Sequence, residues 1–456
     1  MLPGRVNELI QLNKYFGQNE SSLLVLYGQS SVGISSLLEE FKEGKNTFEY
    51  CSKHCSEREQ RYLWAGELRN QGIVCDNDYP DFSFIFERII SDSKDGKKLI
   101  IIRDFHRIVR VCPEFMTSLS AFVRAYKNDN RLMCILVSNH LGWIENAFVD
   151  TIGKNAFAIT GFMKIKPLHF LELVCHYDTP DTAKCMDFYC ILGGNPEYWD
   201  YFDISLSLRE NIINVLLRDD GAFRNIGTDI LKKELRETGV YATILATIAE
   251  GREKLNDIFV HTGFSRAKIS VYLKNLMNLE LVEKVYSYDT AGSENTKKGI
   301  YRISSPLVDF WFRFIYPNES LIKRMGAEEF YDSFIDGSLN KCIGKYFGSV
   351  CCEYIDILND RNLLPFKYTK KGEWVGKTGT INIVAQNTDR DTLLGFCNVD
   401  KPITTFFDYE WYCYTAKEAR LRPDVMYLFS KGGFDRELTE LAEKDDKIKL
   451  IDMREF

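Results

Sequence analysis

"LLVLYGQSSVGISSLLEEF", residues 23–41, runs from an apolar strand through two glycines into a helix. Gly28 and Gly33 are separated by four residues, and Ser35 follows two later. This is the spacing of a phosphate-binding loop, G-x-x-x-x-G-K-[ST]. In such a loop the glycines let backbone N–H groups close on the phosphates, the lysine neutralises them and the hydroxyl takes Mg²⁺. Ile34 stands where the lysine belongs. An isoleucine offers no hydrogen bond and no charge.

Outward from this stretch, the first third of the chain alternates apolar strands and amphipathic helices. "KKLIIIRDF" and "RLMCILVSN" read as further buried strands, "PEFMTSLSAFVRAY" as a helix between them, and "AFAITGFMKIKPLHFLELVCHY" as a last strand leading into a helix. This rhythm predicts a mostly parallel sheet with crossover helices. A helical stretch around "YCILGGNPEYWDYF" follows. From Gly239 onward "VYATILATIAEG", "KLNDIFVHTG" and "SRAKISVYLKNLMNLELV" predict three helices, the second stopped by Gly263 and the third capped by Ser265. "VEKVYSY" and "GIYRIS" then predict a β-hairpin, and together these elements predict a winged helix-turn-helix. The last 120 or so residues mix helix and strand again: "LNKCIGKYFGSVCCEYIDIL" as a helix, then "TINIVAQNT", "TLLGFCNV", "DVMYLFSKGGF" and "KIKLIDM" as strands.

A chain of 456 residues predicts about two to four domains. With 45% hydrophobic and 27% charged residues it has the composition of an ordinary globular protein. No apolar run is long enough to span a bilayer, so no membrane partner is expected. The N-terminus carries a charged helix start instead of an apolar signal core, and a cytoplasmic location is expected. The thirteen cysteines are scattered and odd in number, which favours reduced thiols. The net charge of −7 excludes a generally basic nucleic-acid binder, so any such contact must be local.

"GRVNEL", "YGQSSVGISSLLEEF", "IIIRDF", "ILVSN", "KPLHFLE", "LGGNPEY", "YRISSPLVDFWFRFIYPN", "KYFGSVCCEY", "INIVA" and "LFSKGGF" occur in an order that resembles the bacterial and archaeal DEXX-box or archaeal-type P-loop ATPases. These are AAA-like proteins with a C-terminal domain similar to restriction endonucleases. The resemblance covers almost the whole chain. It implies an α/β protein: a P-loop AAA-like core over residues 1–165, a helical lid over 166–225, the winged helix over 226–305, an aromatic connector over 306–335 and a nuclease-like α/β domain over 336–456.

The resemblance also assigns roles, and this chain departs from most of them. Gly28, Gly33 and Ser35 fit the phosphate loop; Ile34 does not. The second nucleotide strand should end in an Asp for Mg²⁺ and a Glu for water, but "IIIRDF" supplies Arg103 and Asp104. A guanidinium repels Mg²⁺; Arg103 either meets a phosphate directly in place of the lost lysine or pairs with a neighbouring carboxylate. Ser138 and Asn139 occupy the place of a γ-phosphate sensor, and Lys154 that of an arginine acting in trans. The nuclease-like domain departs in the same way. Cys352 stands at the helical Glu with Glu353 beside it, Thr380 and Asn382 replace an acidic pair, and Phe396, Cys397 and Asn398 stand where E-C-K is usual. Hard cations need carboxylate oxygens, so metal-dependent cleavage is not expected.

"CSKHC" (Cys51, His54, Cys55) has ligand-type residues but no second pair at zinc spacing. The third helix of the expected winged helix carries Arg266, Lys268 and Lys274, and the wing tip Lys297 and Lys298. Between Gly251 and Arg302, nine Lys and Arg face six Asp and Glu, a local net of +3 suited to phosphate contacts. The function expected is a degenerate ATPase-family protein acting as a binding or scaffold component, associated with DNA, with a protein partner or with itself. ATP is at best a weak ligand and Mg²⁺ is disfavoured. Two alternatives stand beside this reading: an ATP-binding switch protein with a non-standard phosphate site, and a winged-helix DNA-binding regulator.

Overall fold

The computed structural model describes residues 4–92, 96–177, 181–290 and 299–455. The chain forms two compact units, Met1–Leu168 with Asn195–Glu197, and His169–Gly194 with Tyr198–Phe456.

The first unit is built on five strands, β1 (Ser22–Gly28), β2 (Thr47–Cys51), β3 (Lys98–Arg103), β4 (Leu132–Ser138) and β5 (Gly161–Ile165). Their order is β2-β3-β4-β1-β5, and every pairing is parallel. Alternate residues enter two different cores. Leu23, Val25, Ile100, Ile102, Cys134 and Leu136 face one; Leu24, Leu26, Leu99, Ile101, Met133 and Ile135 face the other. Burial on both faces explains why β1, β3 and β4 are near-continuous apolar runs. Helices α1 (Val6–Phe16) and α2 (Ile34–Lys42) cover the second face through Leu12, Leu37, Leu38 and Phe41. Helices α3 (Glu57–Asn70), α4 (Phe82–Ser91), α5 (His106–Val111) and α6 (Glu114–Ala125) cover the first. β2 was not apparent in the sequence: Phe48 and Tyr50 are buried, but Thr47 and Glu49 on its other side are polar.

In the second unit, three helices span Thr238–Ala249, Leu255–Thr262 and Arg266–Asn278. Gly263 ends the second with φ of +69°, and the Ser265 side chain accepts the Lys268 N–H to start the third. A two-stranded antiparallel ladder follows, β6 (Val282–Val285) on β7 (Ile300–Ile303). The C-terminal sheet contains β8 (Lys370–Val375), β9 (Thr380–Gln386), β10 (Thr392–Asn398), β11 (Val425–Ser430) and β12 (Ile448–Asp452), in the order β12-β11-β10-β9-β8. β8, β9 and β10 run antiparallel, whereas β10, β11 and β12 are parallel. The helix Asp336–Asp360 buries Leu339, Ile343, Phe347 and Val350 at helical spacing. The aromatic segment before it is held by buried Asp309, whose Oδ2 accepts hydrogen bonds from Tyr346 Oη at 3.1 Å and Lys345 Nζ at 3.2 Å.

Candidate functional site

The loop between β1 and α2 takes its shape from close packing. A Cβ at position 28 would lie 2.6 Å from the Ile165 carbonyl oxygen of β5, so only glycine fits. Gly33 has φ of +84°, a left-handed conformation that side chains resist, and a Cβ there would meet Pro196 Cγ at 3.1 Å. Ile34 is 8% exposed and belongs to the apolar cluster of Leu12, Leu24 and Leu37. The residue at the lysine position is therefore part of the core.

Three side chains hold the loop. Arg5 is buried; its Nη2 donates to the carbonyls of Val32 at 2.6 Å and Lys166 at 2.7 Å, and its Nη1 pairs with Glu8 at 2.9 Å. Asn139, just past β4, donates from Nδ2 to Ser30 Oγ at 3.1 Å. Pro196 packs on Gly33.

Arg103 ends β3 beside this loop. Its Nη1 donates to Ser35 Oγ at 3.2 Å, its Nε bonds Glu49 of β2, and its Nη2 lies 3.6 Å from Glu39 of α2. Lys42 closes the ring, 2.7 Å from Glu39 and 3.1 Å from Glu49. Burial by itself would raise the Glu49 pKa, but the bonds and charges of Arg103 and Lys42 bring it below the usual carboxylate range. The hydroxyl that a P-loop offers to Mg²⁺ is thus held by a guanidinium, which is itself neutralised by carboxylates.

Asp104 and Ser138 have other partners. Asp104 sits at φ of +53°, with its carboxylate 3.2 Å from Arg107 Nη2. Ser138 is buried; its Oγ lies 3.1 Å from His106 Nδ1 and accepts the His140 N–H at 3.1 Å. Burial, reinforced by His140 and two nearby arginines, pulls the His106 pKa down to about 3, so this imidazole is neutral. Lys154 is exposed.

In the second unit, Arg266, Lys268 and Lys274 are exposed on the third helix. Arg266 bonds Asn256 Oδ1 at 2.7 Å and lies 4.1 Å over the Phe259 ring, and Lys268 lies 4.9 Å over Phe264. Lys297 and Lys298 lie outside the described residues. At the positions where the sequence resemblance expects a nuclease centre, burial pushes the Cys352 thiol up to about 12. The Glu353 carboxylate accepts the N–H groups of Phe170 at 2.8 Å and Leu171 at 3.1 Å, capping the helix Phe170–Tyr177. Asn382 accepts the Cys397 N–H at 3.1 Å. Among the described residues, no group of three or more His, Cys, Asp or Glu is placed to hold a metal ion, and no helix is long and apolar enough to cross a membrane.

Comparison with known proteins adds to this geometry. Residues 311–400 match DUF234, described as archaeal and bacterial proteins of unknown function. The Walker-type ATPase PABY2304 of Pyrococcus abyssi superposes with a TM-score of 0.50 at 16% identity, over 68% of this chain and 96% of its own. Over that part of the chain the fold resembles that of a P-loop ATPase. A Methanocaldococcus jannaschii protein described as "Uncharacterized protein MJECL04" is 26% identical over 409 residues, 88% of this chain and 87% of its own length. The ORC2 protein of Aeropyrum pernix gives a looser likeness, with a TM-score of 0.40 at 13% identity over 71% of this chain and 96% of its own.

Arg5 and Glu49 carry much of the arrangement around the loop, and the sequence did not mark either as a site residue. Arg5 sits in the "GRVNEL" opening, where a buried arginine satisfying two carbonyls has no local signal. Glu49 becomes visible only once β2 is placed beside β3.

Proposed function

We propose that this chain is a P-loop-fold protein without ATP hydrolysis, acting as a binding component whose partner surface includes the third helix of a winged helix-turn-helix. The observation that carries this reading is the bond from Arg103 to Ser35. A Mg²⁺ at this loop would have to displace the guanidinium from the Ser35 hydroxyl and from the Glu49 and Glu39 carboxylates that hold it. No lysine is present to offset the phosphate charge. The α2 N-terminus contributes about 1 kcal/mol toward an anion, well short of a phosphate-paired cation. The residues present do not fit Mg²⁺-ATP.

The exposed Arg266, Lys268 and Lys274 give the partner surface its chemistry, that of phosphate contact along duplex DNA. The C-terminal order of helix, three antiparallel strands, helix and parallel strand supports a nuclease-like ancestry for that domain. Its Thr380, Asn382, Cys397 and Asn398 supply no carboxylate, so it binds without cutting. Phosphate release from ATP with Mg²⁺ tests the first half of the proposal and is expected at background. Turnover of about 1 per second that is abolished by Ser35→Ala would overturn it. For the second half, binding of a mixed-sequence duplex should weaken with salt. The double change Arg266→Ala and Lys268→Ala should lower the slope of log K against log salt by about 1 for each lost phosphate contact. No salt-sensitive binding at about 50 mM salt would leave that helix a packing element.

A further inference from the structure

β12 is the last strand of the C-terminal sheet and pairs with β11 along one edge. Among the described residues no strand pairs with its other edge. The Met426 N–H bonds the Lys447 carbonyl at 2.7 Å, which sets the phase of the strand. The backbone groups of 447, 449 and 451 therefore face β11, and those of Ile448, Leu450 and Asp452 face outward. The Ile448 N–H is satisfied within the preceding turn by Asp445 at 3.0 Å. The outward groups open into a groove of about 400 Å³. One wall is Tyr354, Leu358 and Tyr427; the other is Thr439, Ala442 and Glu443. Lys449 is in register with Tyr427, so its side chain shares the tyrosine wall. Leu450 is in register with Leu428 and belongs with the opposite core.

We propose that this edge takes an extended peptide from another protein as an added strand, with an acidic side chain on the face of Lys449. Main-chain bonding to Leu450 and its outward neighbours supplies affinity, and the two walls read alternate side chains. The charge of Lys449 argues against a second copy of this chain. Antiparallel pairing of two β12 strands about Leu450 places both Lys449 side chains on one face, about 7–8 Å apart and without a carboxylate opposite. A strand bearing Asp or Glu at that register meets the lysine with opposite charge. Ala442 on the other wall leaves room for an apolar side chain beside Leu450.

The test uses the full chain as bait for a displayed library of eight-residue peptides, followed by fluorescence titration of synthetic copies of the selected sequences. Selected peptides should alternate β-branched residues with a recurrent Asp or Glu on one parity. Leu450→Pro deletes an outward N–H and leaves the bonds to β11 intact, a change edge strands tolerate; it should weaken binding at least tenfold. Ala442→Arg fills one wall and should do the same, and a melting curve taken on each variant separates loss of binding from loss of fold. Lys449→Glu should convert the selected acid to Lys or Arg. A library without a recurrent pattern would overturn the proposal, as would peptides that bind all three variants equally. So would a concentration-dependent dimer in sedimentation that Leu450→Pro dissolves, because the occupant would then be a second copy.

Discussion

Replacing Arg103 by methionine keeps the length of the side chain and removes its charge and donors. Glu49 then loses its main partner and retains Lys42, while its side chain is only 26% exposed. A hydrogen bond to a charged group contributes about 1.5–3 kcal/mol, and partial exposure reduces this. The loss should be about 2 kcal/mol at pH 7, or a urea midpoint lower by about 1 M at a slope of about 2 kcal/mol/M. The pH dependence distinguishes this pair from general damage. The folded pKa of Glu49 lies below its ordinary 4.5. Its pairing therefore stabilises the fold above about 4.5 and is lost as pH falls through the depressed folded value. In Arg103→Met, burial becomes the dominant influence and the folded pKa moves upward. The gap between parent and variant should be full at pH 7 and should narrow as pH falls through the raised folded value of the variant and then the depressed folded value of the parent. Urea unfolding of the full chain, read by hydrogen exchange of the β2 and α2 peptides, measures it. A gap equal at pH 3.5 and pH 7, or a gap under about 0.3 kcal/mol at pH 7, would refute the reasoning.

Three further outcomes follow from the same contacts. Ile34→Lys pulls a buried isoleucine from the Leu12–Leu24–Leu37 cluster and should cost about 2 kcal/mol in chemical denaturation, while tightening ATP binding and leaving hydrolysis at background because Arg103 still opposes the metal. Arg5→Leu leaves the Val32 and Lys166 carbonyls without their donor and should cost about 3 kcal/mol in thermal or urea melts; a change below about 0.5 kcal/mol would contradict its place as the loop's anchor. Glu353→Ala should cost about 1 kcal/mol through loss of the helix cap, and neither parent nor variant should cleave DNA or RNA with Mg²⁺ or Mn²⁺.

The sequence carried the doubly covered sheet well, because β1, β3 and β4 are apolar on both faces and the helices between them keep a regular period. Gly263 and Ser265 marked the helix boundaries at Thr262 and Arg266 through their own chemistry. The elements that escaped reading were the ones whose burial is one-sided or whose apolar residues are spread around the axis. β2 and β8 lie at sheet edges and carry Glu49, Lys370, Lys371 and Glu373. The helix Phe406–Glu418 has aromatics on every side and no 3.6-residue stripe to detect. At the site, the substitutions at Ile34 and Arg103 were visible as letters. Their consequence needed neighbours far away in sequence: Glu49 to neutralise the guanidinium, Leu12 and Leu24 to bury the isoleucine, and Arg5 to fix the loop from 27 residues away.

The central claim is that this P-loop fold does not take Mg²⁺-ATP as a substrate site would, and calorimetric titration of the full chain with ATP in the presence and absence of Mg²⁺ addresses it most directly. The account predicts no saturable heat up to about 1 mM nucleotide, or binding weaker than about 1 mM that Mg²⁺ does not improve. A dissociation constant near or below about 10 µM that depends on Mg²⁺ and disappears in Ser35→Ala would contradict it.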